Sequence, residues 1–80
     1  MQIEKANFLK NFIIELELSN KQKVYYDFKP QLGTARFKHI KDQAFFETGR
    51  LVDQCYIYWD SLTEIQDYEM LGEGIIKEEF

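Results

Sequence analysis

The stretch CYIYWD, Cys55 to Asp60, constrains this chain most. Successive side chains of a strand point to opposite faces, and here both faces are apolar or aromatic, with Cys55, Ile57 and Trp59 on one and Tyr56 and Tyr58 on the other. A strand with one wet face would carry polar residues at every second position. The whole chain has 80 residues, which make one domain, with a compact part over 3–72 and a frayed tail from 73 to 80. A domain of this size buries only about 60–65% of the surface that its unfolded chain exposes, so little material is at hand to cover two faces. The usual staples are missing: one cysteine, Cys55, closes no internal disulfide, and one histidine, His39, builds no structural zinc site with it. Association with another copy is the remedy that remains.

The sequence also specifies a hairpin. In FIIELEL, Phe12, Ile14, Leu16 and Leu18 share a face opposite Ile13, Glu15 and Glu17. After the turn cluster Ser19 to Gln22, Val24, Tyr26 and Phe28 share a face opposite Lys23, Tyr25 and Asp27. Directly paired residues lie on one face, so apolar sets that are even-numbered on both strands require a loop with an odd number of residues. The simplest is Ser19, Asn20 and Lys21, with Asn20 or Lys21 in the left-handed conformation.

Pro30 ends the second strand, Gly33 permits a bend, and a short element is expected at Phe37 and Ile40. KDQAFFETGR predicts a short helix with Asp42 as N-cap, Phe45 or Phe46 toward the sheet and Gly49 as the closing glycine. Leu51 to Trp59 returns to period two, with Val52, Tyr56 and Tyr58 on one face and a bend between Asp53 and Gln54. Two readings of the ending stay open. SLTE, Ser61 to Glu64, fits a capping box that opens a helix to Leu71; alternatively Glu64 to Gln66 is a short strand and Asp67 caps a single turn that closes at Gly72. The fold class expected is α+β, a small antiparallel meander sheet with one or two short helices packed on one face.

Charge narrows the functional classes. The net charge is −4 and the sequence pI about 4.9, which argues against general binding to a phosphate backbone. The charges are unevenly placed: residues 1–41 hold eight Lys or Arg against four Asp or Glu, a balance of +4, and residues 42–80 hold two against ten, a balance of −8. That asymmetry suits an oriented encounter with a charged partner or a second copy. No apolar run approaches the length of a membrane helix or of a signal peptide's apolar region, so neither is expected, and the protein reads as cytoplasmic with a reduced thiol.

No chemical motif emerges, so no catalytic, cofactor-binding or metal-binding residue is assigned. Cys55 reads as an inert buried thiol on the face of Ile57 and Trp59. His39, between Lys38 and Lys41, reads as an exposed basic neighbour. Gly33, Gly49, Gly72 and Gly74 are isolated and make no phosphate cradle.

The order of the segments FIIELEL, SNKQ, YYDFKPQL, RFKHIKDQAFFE, VDQCYIYWD and EIQDYEML resembles the prokaryotic family termed domain of unknown function 2442, over roughly Ile3 to Leu71. Lys21 departs from it, since a glycine is frequent in that turn. The resemblance implies a compact α+β fold with a meandering antiparallel sheet, and it favours the ending with a strand near Ile65 and a turn of helix after it. It implies the stand-alone form, without room for a helix-turn-helix domain, in a setting like that of toxin–antitoxin pairs, and it brings no established activity.

These readings make a non-enzymatic protein-interaction domain the leading expectation, self-associating or bound to a small partner protein. The candidate contact residues are Ile13, Tyr25, Tyr56 and Tyr58, which form one tyrosine-rich second surface if their strands are neighbours. Two alternatives stand beside it. One is a small-ligand binder or accessory enzyme around His39 with Asp42; the other is nucleic-acid contact through Lys29, Arg36, Lys38 and Lys41, with Phe37 between them as a stacking ring.

Overall fold

The structure, a computed structural model, describes residues 2–40, 42–60, 63–73 and 75–76. Strands β1 (Ile3–Leu9), β2 (Ile13–Leu18) and β3 (Lys23–Asp27) form one antiparallel meander. Helix α1 (Gln43–Phe46) leads into a second, made of β4 (Arg50–Val52), β5 (Tyr56–Asp60) and β6 (Thr63–Gln66). Helix α2 (Asp67–Glu73) follows, and the two-residue β7 (Ile75–Ile76) pairs with β3 through Val24 and Tyr25. The fold is α+β as expected, with its strands divided between two sheets. Of the segment 73–80 set apart as a tail, Gly74 and residues 77–80 lie outside the described residues, as does the proposed cap Ser61.

The β2–β3 hairpin has the parity that its apolar pattern demands, with Ile14 opposite Tyr26, Leu16 opposite Val24 and Glu17 opposite Lys23. Its loop is Ser19, Asn20 and Lys21. The Lys21 N–H donates to the Leu18 carbonyl and the Leu18 N–H to the Gln22 carbonyl, each at 2.9 Å. Lys21 takes the left-handed conformation, with φ of 74°, and Asn20 Oδ1 accepts the Gln22 N–H at 3.0 Å.

Strand β1 has no counterpart among the sequence expectations. It pairs along β2 from Leu9 opposite Ile13 to Lys5 opposite Glu17, and then shifts so that Ile3 faces Leu18. That bulge reverses parity: Phe8 and Ala6 pack inward as even positions, and Ile3 does so as an odd one. The β1–β2 corner holds Asn11 and Phe12 at φ of 61° and 58°, which is strained for a bulky ring. Phe12 thus lies outside the strand, its ring 5.3 Å from that of Phe46. Gln43 secures the corner from α1, accepting the Phe12 N–H at 3.2 Å and donating to the Leu9 carbonyl at 2.9 Å, and Lys29 Nζ donates to the Asn11 carbonyl at 2.9 Å.

The core lies between the sheets, with Ile14, Leu16, Val24 and Tyr26 from the first, Phe28 just beyond the end of β3, and Ile57, Trp59 and Ile65 from the second. Asp42 caps α1 as expected, its Oδ1 accepting the Phe45 N–H at 2.8 Å, and Phe46 is the ring that enters the core. Gly49 acts differently from the closing glycine expected. Its φ is not in the left-handed region; its lack of a Cβ lets the Trp59 indole pack against its backbone. The ending is a strand followed by a helix. Glu69 reaches back to accept the Gln66 N–H at 2.9 Å, the half of a capping box that protects the residue before the helix. Met70 of α2 is fully buried, and so is Thr63 of β6, whose hydroxyl has no hydrogen-bond partner among the described residues.

Candidate interaction surface

The four residues expected to share a surface lie on two sheets. Ile13 and Tyr25 belong to β2 and β3, whereas β5, with Tyr56 and Tyr58, pairs with β4 and β6. The neighbour relation assumed from the sequence is therefore not realised, because each meander closes on its own strands. Ile13 and Tyr25 are buried, and the register explains how an outward-facing tyrosine is satisfied. Asn7, Glu15 and Tyr25 form one row across β1, β2 and β3. Asn7 Nδ2 donates to Glu15 Oε1 at 3.0 Å, and the Tyr25 hydroxyl donates to Glu15 Oε2 at 2.8 Å. The adjacent row, Lys5, Glu17 and Lys23, alternates in charge across the same strands.

These contacts carry a pH dependence. The Asn7 hydrogen bond, then that of Tyr25, with the nearby charges of Lys23 and Lys5, hold the Glu15 carboxyl below the usual carboxylate range. The Arg36 hydrogen bond does the same to Glu69, helped by the Gln66 N–H and against the effect of burial. A depressed folded value means that the unfolded chain binds more protons, so the contribution is complete above the ordinary carboxylate value and is lost as pH falls through the folded value. The urea midpoint is therefore expected to be level near neutrality and to decline from about pH 5 downward. Glu15→Gln should flatten part of that decline; an equally steep loss in the variant would remove Glu15 as a cause.

The second sheet offers a different outer surface. Leu51, Ile57, Trp59 and Ile65 face the core, so the residues of opposite parity face away. They stand in two rows: Arg50, Tyr58 and Glu64, and Val52, Tyr56 and Gln66. Val52, Tyr56 and Tyr58 are half-buried and Arg50 is exposed. The Arg50 guanidinium lies over the Tyr58 ring, 5.5 Å from its centroid, and Gln66 Nε2 donates to Glu64 Oε2 at 2.7 Å. CYIYWD thus meets the core with Ile57 and Trp59, and its tyrosines are flanked by short neighbours and long polar ones. Arg50, Glu64 and Gln66 were not singled out from the sequence. Arg50 was within reach by hairpin parity across the Asp53–Gln54 bend, where both residues have positive φ; Glu64 and Gln66 required knowing that β6 pairs with β5.

The other candidates are placed elsewhere. Cys55 lies in the turn before β5, half-buried, with its carbonyl accepting the Asp67 N–H at 2.8 Å; it does not share the strand face of Ile57 and Trp59. His39 is exposed on the loop before α1, and the Asp42 carboxylate expected to act with it is engaged as the helix cap. Phe37 is 1% exposed in the core, so its ring is not presented for stacking on a base. Arg36 makes two contacts with the Glu69 carboxylate and donates to the Glu64 carbonyl at 2.9 Å, while Lys29 pairs with Asp27 at 3.0 Å. Lys41 lies outside the described residues. Among the described residues, no group of three His, Cys, Asp or Glu side chains is placed to hold a metal ion, and no helix is long and apolar enough to cross a membrane.

Comparison of the chain with protein-family models, with curated proteins and with solved structures finds no match.

Proposed function

We propose that this protein is a non-enzymatic interaction domain that acts through the outer face of its second sheet, with a second copy of the chain as the occupant. The observation that carries this reading is the row-wise register of Val52, Tyr56 and Tyr58 with Arg50 and Glu64 on one side of β4, β5 and β6. Tyrosine and arginine are the residue types that dominate protein contact surfaces. A small sheet with half-buried rings on its outer side gains apolar burial by meeting another surface. Burial of Ile13 and Tyr25 removes them from the contact and leaves Tyr56 and Tyr58 as its centre. The resemblance to a family without established activity adds no catalytic residue to this reading, and the setting like that of toxin–antitoxin pairs that it implies is compatible with a small protein partner as well.

Solution mass tests the reading. In a light-scattering concentration series the chain is expected to rise toward twice its 9.7 kDa, and Tyr56→Ser with Tyr58→Ser to hold it at the monomer mass. A mass that the double substitution leaves unchanged would count against this face. A monomer at every concentration would exclude the second copy, and capture of a small partner that needs Tyr56 and Tyr58 would then identify a different occupant.

A further inference from the structure

The register of the second sheet defines how two copies meet, an inference that rests on the contact face proposed above. Along the first row the charges are ordered across the strands: Arg50 on β4, Tyr58 on β5 and Glu64 on β6. Along the second, Val52, Tyr56 and Gln66 occupy the same three strands. A half-turn about a line parallel to β5 exchanges the two outer strands and returns β5 onto itself. We propose that two copies of the chain pack these faces together about such an axis, with Tyr58 on Tyr58, Tyr56 on Tyr56, and Arg50 of each copy opposite Glu64 of the other.

The alternative two-fold in the plane of the face, at right angles to β5, sets one row against the other and places Arg50 opposite Val52 of the second copy. That arrangement desolvates a guanidinium without a partner, which is costly. The axis along β5 forms the oppositely charged pair twice, as an isologous contact must. It also suits the geometry of stacked sheets, which keep their strands within about 30° of one another at a separation of about 10 Å. Arg50 is already held over the Tyr58 ring, and the Glu64 carboxylate, which accepts one hydrogen bond from Gln66, has lone pairs left for a second donor. At the rim of a small contact such pairs fix orientation more than they add affinity.

Charge reversal tests the arrangement. In the dimer, Arg50→Glu alone or Glu64→Arg alone sets like charges against each other at two places, and each is expected to raise the self-association constant Kd by about tenfold or more at low salt. The double reversal Arg50→Glu with Glu64→Arg restores the opposition and is expected to return Kd to within about threefold of the original. The milder Arg50→Ala and Glu64→Ala should weaken association in the same direction by less, which keeps the test open if a reversal impairs folding by circular dichroism. A double reversal no tighter than the weaker single one overturns the proposal. If Tyr56→Ser with Tyr58→Ser still abolishes association in that case, the face remains the contact and only the axis is wrong. A chain that is monomeric throughout overturns the axis and the second copy together.

Discussion

Phe46→Ala is expected to lower stability by about 3–5 kcal/mol, the range for truncating a buried ring. Phe46 is fully buried, and its ring meets Phe8 and Phe12 at 5.3 Å, Phe28 at 5.7 Å and Trp59 at 6.2 Å between centroids. It thereby joins β1, the strained β1–β2 corner, the end of β3 and the second sheet. Helix α1, at four residues, is far too short to hold itself together, so Phe46 anchors it along with the Asp42 cap. Gln43, which secures Asn11 and Phe12, sits on that same helix and loses its placement if the helix detaches. A domain of this length has roughly 4–12 kcal/mol of net stability at the usual yield per residue, so the variant should be marginal. Urea unfolding is the measurement, with the half-buried Phe45→Ala as a comparison expected to cost less. A loss below about 1.5 kcal/mol for Phe46→Ala would mean that the other rings close the space, and that the cluster is not organised around this position.

What the sequence made legible was local. The odd loop at Ser19 to Lys21, a left-handed residue at Asn20 or Lys21, the Asp42 cap and the inward set Val24, Tyr26 and Phe28 each follow from chemistry within a few residues. Strand β1 escaped because its bulge between Ile3 and Lys5 switches the buried parity, so Ile3, Ala6 and Phe8 do not alternate cleanly. The shared surface of Ile13, Tyr25, Tyr56 and Tyr58 failed for another reason. Period two assigns a residue to a face of its own strand, but nothing in the period says which hairpin that strand joins. Once β4, β5 and β6 close as a separate meander, Tyr58 acquires Arg50 and Glu64 as neighbours, and Tyr25 instead acquires Glu15. The oddness of an aromatic second face was a sound signal at β5. At β3 it marked a tyrosine whose hydroxyl satisfies a carboxylate across the sheet.

Gly49→Ala is expected to lower stability by about 2–4 kcal/mol. A Cβ on Gly49 would stand 2.6 Å from Trp59 Nε1, 2.8 Å from Trp59 Cε2 and 2.9 Å from Phe8 Cζ, all closer than real methyl contacts allow. The indole cannot step aside freely, since its Nε1 donates to the Phe46 carbonyl at 2.9 Å. Moving the ring leaves that donor buried and unpaired, which costs about 1–3 kcal/mol, and it also separates Trp59 from Phe28 and Phe46. Gly72→Ala provides the contrast, because a Cβ there meets nothing within 4 Å and alanine is the better helix former by up to about 1 kcal/mol. It should be neutral or slightly stabilising. As the only tryptophan, Trp59 reports on both variants: Gly49→Ala should shift its emission to the red and lower the urea midpoint, while Gly72→Ala should leave the emission in place. If Gly49→Ala cost no more than Gly72→Ala and the emission did not move, the close approach of the indole to the chain at Gly49 would not be what holds the second sheet against α1.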